Sequence, residues 1–380
     1  MSLKILCVAG ARPNFIKIGP LMRALRQDTD FDARLIHTGQ HYDANLSKIF
    51  FEDLEIPRPD VELEVGSGTH ASQTAQIMTK FEEVVVREKP NAVLVVGDVN
   101  STIACAMVAA KQHLPESFNT REGVRTRPIV IHVEAGLRSF DDDMPEEINR
   151  ILTDRISDLL FVTEPTGMEN LEREGTDPNR THFVGNVMID SLLVAKAKSE
   201  SSQILETLGV TPKKYGLVTL HRPSNVDDVD NLRDRLSTLD TVSKDIHLVF
   251  PVHPRTRARI AENNIKLDPK RWTLADPVGY LDFVRLMANA RIVLSDSGGI
   301  QEETTILKVP CVTLRENTER PVTIHEGTNL LAGTTREGIL AKYKEAMEKE
   351  PLDRAPALWD GKTASRIVSV LREYFLLAAK

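Results

Sequence analysis

Two constellations in the sequence could do chemistry. The first is Asp296-Ser297-Gly298-Gly299-Ile300-Gln301-Glu302-Glu303, entered from the apolar run Arg291-Ile292-Val293-Leu294-Ser295 and followed by an amphipathic stretch. That order predicts strand, glycine turn and helix. Adjacent glycines let backbone N–H groups at a helix N-terminus approach an anion closely, so the turn could cradle a phosphate. Glu302 and Glu303, one turn on, are unsuited to phosphate but suit hydrogen bonds from ribose hydroxyls, and a nucleotide satisfies both. The same segment also reads as an ordinary helix entry capped by Ser297. The second constellation is a series of polar residues, each placed directly after a short apolar run. These are Gly10-Ala11-Arg12-Pro13, His37-Thr38-Gly39-Gln40-His41, Gly97-Asp98, Glu134-Ala135-Gly136-Leu137-Arg138, His221-Arg222 and His253-Pro254-Arg255. Any one of them could be a solvated loop charge; the whole series at equivalent positions argues for a ligand site.

Parallel strands are the elements that would present such residues together. Short apolar runs alternate with longer amphipathic ones at 3–9 then 15–26, 33–37 then 45–51, 92–96 then 102–112, and 129–133 then 145–156. The rhythm resumes after Lys213, with strands expected at 216–220, 246–252, 291–295 and 310–314 and helices at 230–243, 256–263, 280–289 and 298–307. This alternation predicts an α/β chain of two doubly wound Rossmann-like domains, whose ligands lie beyond the carboxyl ends of the strands. The segment 195–214, rich in Ser, Lys and Glu and containing Pro212, marks the boundary, giving domains at 1–200 and 201–362 and a last helix at 363–380. Residues 115–128, polar and bounded by prolines, are expected to form an exposed loop.

Bulk composition narrows the class. A chain of 380 residues is long for one core, which favours two domains. With 48 basic and 55 acidic residues the formal charge is −7, and no basic stripe offers nucleic acid a footprint. Cys7, Cys105 and Cys311 are far apart in apolar surroundings, which points to buried thiols in a reducing compartment, the cytoplasm. No secretory leader or membrane-spanning run is evident, so neither export nor a membrane partner is expected. Three motif-like stretches do not qualify. Gly66-Ser67-Gly68-Thr69-His70-Ala71 follows Val61-Glu62-Leu63-Glu64-Val65, whose alternating charge does not fit a doubly buried strand, and Gly361-Lys362-Thr363 has Pro356 where a phosphate loop needs its leading glycine. His37 and His41 are separated by a turn, so no metal is expected there, nor any cofactor elsewhere.

Taken in order, the polar exits resemble the non-hydrolysing UDP-N-acetylglucosamine 2-epimerases over nearly the whole chain. The matching residues are Gly10-Ala11-Arg12-Pro13 with Lys17, Thr38-Gly39-Gln40-His41, Gly97-Asp98, His132-Val133-Glu134-Ala135-Gly136-Leu137-Arg138, and Pro145-Glu146-Glu147 with Asn149-Arg150. The second half adds Gly185-Asn186, Thr219 with His221-Arg222, Pro251-Val252-His253, the run from Asp296 to Glu303, and Thr318-Glu319-Arg320-Pro321. The resemblance implies the glycosyltransferase type B fold, with substrate in an interdomain cleft, the last helix crossing back to the first domain, and a homodimer. It implies interconversion of UDP-N-acetylglucosamine and UDP-N-acetylmannosamine by elimination of UDP and re-addition to a glycal, because the proton on the acetamido-bearing carbon has no adjacent carbonyl to make it acidic.

By the same resemblance, Asp98, Glu134 and Glu146 are the proton-transfer carboxylates, while Arg12, Lys17 and His221 face the diphosphate with the amides of Ser297, Gly298 and Gly299. Glu303 would hold the ribose, Arg320 and Phe283 the uracil, and His253 falls within the substrate set. Arg150, one turn after Glu146, serves equally to orient that carboxylate or to touch substrate, and Glu134 could instead pair with Arg138. Pro223-Ser224-Asn225 replaces a glutamate-asparagine pair common in the family, so no role of that glutamate carries over. Tyr42-Asp43-Ala44-Asn45 departs from the motif of substrate-activated bacterial members, which argues against allosteric activation. The rival readings are a glycosyltransferase of the same fold, an epimerase of a diacetamido uronic UDP-sugar, and a non-catalytic UDP-sugar sensor. Three carboxylates disfavour the first, Thr318-Glu319-Arg320-Pro321 the second, and the intact carboxylates with His221 the third.

Overall fold

The computed structural model describes residues 2–39, 56–349 and 355–378. They divide into two compact units, Met1–Ser191 with Ala357–Lys380, and Leu192–Pro356. In the first unit the strands are β1 (Leu3–Ala9), β2 (Phe31–His37), β3 (Val61–Glu62), β4 (Ala92–Val96), β5 (Phe118–Thr120), β6 (Gly123–Arg125), β7 (Ile129–Ala135), β8 (Leu159–Val162) and β9 (Thr181–Phe183). Seven of them form one sheet ordered β3-β2-β1-β4-β7-β8-β9, parallel throughout. Every residue of β4 and β7 is buried, as strands covered on both faces require, which is why these segments read as unbroken apolar runs.

The helix Arg12–Gln27 starts three residues before the expected position. Pro13 fits the first helical turn, where an N–H would have no partner to lose. Asn14 then ties two strand exits together: its Oδ1 accepts from the amides of Gly10 (3.1 Å) and Ala11 (2.9 Å), and its Nδ2 donates to the Val96 carbonyl (3.0 Å). Of the charged segment 61–65 only Val61–Glu62 pairs, at the sheet edge. The chain then enters the helix His70–Glu88, capped by Thr69, which buries Ile77, Phe81, Val84 and Val85 at helical spacing. The expected helix at 45–51, with Gln40, His41 and Tyr42-Asp43-Ala44-Asn45, lies outside the described residues.

The segment 115–128, expected as an exposed loop, is largely exposed but is corrected in one respect: it carries a short antiparallel hairpin, β5 paired with β6. Its polar residues close it and dock it: Thr120 Oγ1 donates to the Gly123 carbonyl (2.9 Å), and the Arg121 amide donates to the Tyr374 carbonyl (2.8 Å). The helix bearing Tyr374, Thr363–Tyr374, packs in this same unit against Arg12–Gln27. Its N-terminus is capped from a distance. Asp190, in the helix Val187–Ser199, accepts the amides of Thr363 (3.1 Å) and Ala364 (2.8 Å), and Trp359 Nε1 donates to the Thr163 carbonyl (2.9 Å).

The second unit carries β10 (Tyr215–Thr219), β11 (His247–Pro251), β12 (Trp272–Ala275), β13 (Ile292–Ser295), β14 (Cys311–Thr313) and β15 (Asn329–Leu331). They form a parallel sheet ordered β12-β11-β10-β13-β14-β15. The order reverses between β10 and β13, with Thr219 opposite Ser295, and strand ends at such a reversal diverge to leave a ligand crevice. The corresponding reversal in the first unit lies between β1 and β4. Among the described residues no helix is long and apolar enough to cross a membrane.

The long-range cap gives a stability prediction. Asp190→Ala removes the acceptor for two helix-terminal amides and should destabilise the first unit by about 1–2 kcal/mol. Denaturant unfolding followed by circular dichroism measures this, and an unmoved midpoint would show that the cap contributes nothing.

Candidate active site

In the first unit the polar exits of β4 and β7 meet. Gly97, at φ +68°, donates its amide to the Val133 carbonyl (3.0 Å) and turns the chain so that Asp98 leaves the sheet. Asp98 is fixed at both ends: Arg150 Nη1 donates to its Oδ2 (2.9 Å), and Asn149 Nδ2 to its backbone carbonyl (2.9 Å). Its side chain keeps 26% of its surface exposed. Glu134 sits at a register shift of β7, in the left-handed region at φ +78°, and is buried in an ion pair with Lys17 of the helix Arg12–Gln27. A Cβ on Gly97 would lie 3.1 Å from Lys17 Nζ and 3.3 Å from Glu134 Oε2, so the glycine makes room for this pair beside Asp98. Arg12 is the first residue of the same helix.

Glu146 lies in the first turn of the helix Pro145–Ile156, partly exposed and with no ion pair among the described residues. The suggestion that Arg150 orients Glu146 is corrected. Arg150 bonds Glu147 (Nη2 to Oε2, 2.7 Å), the neighbour that shares its buried face, and bridges it to Asp98. Glu147 also accepts the amides of Ser139 (3.0 Å) and Phe140 (3.0 Å), shaping the turn after β7. The alternative pairing of Glu134 with Arg138 is likewise not found, because Arg138 bonds Asp154 (2.8 Å) and Glu174 (2.8 Å). Sequence reading missed Glu147 and Asp154 as structural carboxylates. Their signal was i,i+3 spacing to Arg150 for the first and an unexplained His132 within an apolar strand for the second.

In the second unit His221, after β10, bonds through Nδ1 to Asp296 Oδ1 (2.8 Å) at the end of β13 and keeps 59% of its side chain exposed. Asp296 is fully buried and also accepts the amides of His221 and Arg222 and the Nδ2 of Asn225. Burial alone would raise its carboxyl pKa, but the His221 imidazole and these donors outweigh it and hold the group below its ordinary value. The departure at Pro223-Ser224-Asn225 thus supplies one of Asp296's donors.

The glycine turn opens the helix Gly298–Leu307, and two expectations for Ser297 change. Its side chain makes no cap bond, and its amide is taken by Ser295 Oγ (3.0 Å), so the cradle begins at Gly298 and Gly299. A Cβ on Gly298 would lie 2.8 Å from Glu319 Oε1 and 2.9 Å from Arg320 Nη1. Arg320 is buried between Glu302 (2.9 Å) and Glu319 (2.6 Å), the latter also held by Arg315 (2.8 Å). Glu302 is therefore engaged by Arg320. Glu303 accepts the Tyr280 hydroxyl (2.8 Å), and burial, opposed by that bond and assisted by the charge of Glu302, pushes its carboxyl up to about 7. Phe283, half-buried, packs against the core beside this helix. His253 is exposed and caps the helix Pro254–Glu262 by accepting the Arg255 amide (3.3 Å). Among the described residues no three His, Cys, Asp or Glu are grouped to hold a metal ion.

Comparison with known proteins adds a family. A family model described as UDP-N-acetylglucosamine 2-epimerase matches residues 23–372. The UDP-N-acetylglucosamine 2-epimerase of Methanocaldococcus jannaschii is 42% identical over 378 residues, covering 97% of this chain and 99% of that protein. The UDP-2,3-diacetamido-2,3-dideoxy-D-glucuronate 2-epimerase of Pseudomonas aeruginosa is 39% identical over 373 residues, covering 97% and 99%. Among solved structures, the M. jannaschii UDP-GlcNAc 2-epimerase in complex with UDP-GlcNAc and UDP superposes with a TM-score of 0.86 at 40% identity, covering 97% of this chain and 99% of that one. The fold is the glycosyltransferase type B-like α/β fold of these neighbours.

Glu303 sets a pH prediction. Its folded value of about 7 exceeds the ordinary 4.5, so the folded state holds the extra proton. The associated stability is fully present below pH 4.5 and is lost as pH rises through about 7. Thermal melts of wild type and Glu303→Gln should therefore diverge with rising pH, wild type losing stability relative to the variant. A difference that stays flat with pH would mean that Glu303 titrates like an exposed carboxylate.

Proposed function

The chain belongs to the UDP-N-acetylglucosamine 2-epimerase family and is an enzyme of the isomerase type, and from this premise we propose that it interconverts UDP-N-acetylglucosamine and UDP-N-acetylmannosamine by eliminating UDP and adding it back to a 2-acetamidoglucal. The observation that carries this reading is the pair of carboxylates at neighbouring strand ends, Asp98 and Glu134, each held by its own cation. Removing and returning a proton on either face of a sugar carbon needs two such groups in different surroundings. Asp98 is partly exposed and bound to Arg150, Glu134 buried and bound to Lys17, and Glu146 is a third, partly exposed carboxylate.

In this reading the second unit takes the nucleotide. The amides of Gly298 and Gly299 receive a phosphate at the positive end of their helix, and His221, oriented by Asp296, presents Nε2 to the leaving diphosphate. Glu303 accepts a ribose hydroxyl, and Arg320 and Phe283 border the uracil, with Arg12 and His253 completing the substrate set. Lys17 and Arg150 act first on their carboxylates, Glu134 and Asp98. The enzyme works in the cytoplasm as a homodimer, supplies cell-surface polysaccharide precursors and needs no cofactor. A second reading, epimerisation of a diacetamido uronic UDP-sugar, is favoured by the Pseudomonas aeruginosa relative at 39% identity.

Proton NMR in heavy water with UDP-N-acetylglucosamine tests the proposal. The signal of the proton on the acetamido-bearing carbon should vanish as the manno isomer appears. Binding without exchange, together with exchange on the diacetamido uronic sugar, would transfer the assignment to the second reading. Asp98→Asn should lower turnover by roughly two to four orders of magnitude while UDP still binds. Unchanged turnover would remove Asp98 from the chemistry.

A further inference from the structure

Behind the two carboxylate-bearing strand ends lies a buried network that the proposed chemistry does not use. His132 stands in the middle of β7 with none of its surface exposed. Its Nε2 is 2.8 Å from the Gly97 carbonyl, and its Nδ1 is 2.6 Å from Oδ1 of Asp154, in the last turn of the helix Pro145–Ile156. The other Asp154 oxygen, Oδ2, accepts the Gly136 amide (3.0 Å) and Arg138 Nη1 (2.8 Å). A carbonyl can only accept, so Nε2 donates. Asp154, already accepting from an amide and a guanidinium, faces Nδ1. The imidazole thus spans the Gly97 carbonyl on one side and the Asp154 carboxylate on the other.

This chain of bonds joins the two reacting loops. Gly97 immediately precedes Asp98, and Gly136 follows Glu134 by two residues. Glu134, at φ +78°, is in a conformation that a non-glycine residue keeps only where surrounding structure enforces it, while Gly97 and Gly136, at +68° and +80°, adopt such turns freely. We infer that Asp154, acting through His132, is a positioning residue that fixes the spacing of Asp98 and Glu134. The inference rests on the reading that these two carboxylates handle the sugar proton. A buried ion pair costs more in desolvation than an apolar pair of the same shape, so its value here is geometric. A displacement of about 1 Å at a reacting group can lower turnover by about a hundredfold.

Two substitutions at His132 separate positioning from plain structure. Gln places its amide where Nε2 was and keeps a donor to Gly97, whereas Asn places its amide where Nδ1 was and keeps only the bond to Asp154. Turnover should rank wild type above both His132→Gln and His132→Asn by about tenfold or more, because each breaks one link of the clamp, with KM and UDP affinity within twofold of wild type. A role in stability alone predicts turnover that follows the melting temperature; wild-type turnover in either variant overturns the inference. Imidazole nitrogen NMR reads the clamp independently of any substrate. In Asp154→Asn the Nε2 signal that reports the bond to Gly97 should shift together with that of Nδ1, while an unchanged Nε2 signal overturns the inference. If the variants rank as expected only on the diacetamido uronic sugar, the substrate assignment fails and the clamp stands.

Discussion

A charged group at the end of a buried parallel strand has lost most of its water, and the protein must replace it. This constraint organises both units. Glu134 is met by Lys17, Asp98 by Arg150, Asp296 by His221 and three further donors, and Arg320 by Glu302 and Glu319. Each partner comes from a different element than the group it serves, apart from the adjacent pair Glu319 and Arg320. Charge compensation therefore does the work of tertiary alignment: a shift of one helix relative to the sheet would leave a carboxylate unpaired at a cost of several kcal/mol.

The helix Pro145–Ile156 shows how densely this is arranged. Its first turn presents Glu146 outward, its inner face carries Glu147 and Arg150 beneath Asp98, and its last turn holds Asp154 under β7. One helix thus supplies a carboxylate with no ion pair among the described residues together with the groups that hold Asp98 and bind the turn after β7. Glycine does the complementary work, since a methyl group would crowd an ion pair at Gly97 and overlap one at Gly298.

What was legible in the sequence follows from which signals are local. The central strands of both sheets, β1, β2, β4, β7, β10, β11, β13 and β14, were visible because doubly buried strands are apolar without interruption, and the polar residues at their ends stood out against that background, whereas the short outer strands β3, β8, β9, β12 and β15 were not expected. The carboxylates at 98 and 134 and the glycine turn at 298 could therefore be found without a structure. Partner choice could not. Arg150 lies three residues from Glu147 and four from Glu146, and only the burial of one helix face decides between them. The hairpin at 118–125 was also hidden, because strands of three residues are too short for periodicity and its stabilising contacts come from Tyr374, far along the chain. The edge strand Val61–Glu62 and the helix His70–Glu88 fell in a region where charge alternation and a glycine pair masked the rhythm.

The first unit is discontinuous in sequence, and this has a consequence for biosynthesis. A ribosome delivers residues 1–191 well before 357–378, yet the Arg121 amide, the Thr163 carbonyl and the Asp190 carboxylate all find their partners in that last segment. Domains usually fold as they emerge, N-terminal first. Here the second unit, contiguous from 192 to 356, can complete its contacts before residues 357–378 are made, while the first unit, whose sheet is complete by β9, still lacks the helix Thr363–Tyr374 that packs on it. A nascent chain stalled before residue 357 would carry a contiguous second unit together with a first unit whose Arg121 amide, Thr163 carbonyl and Asp190 carboxylate still lack their partners.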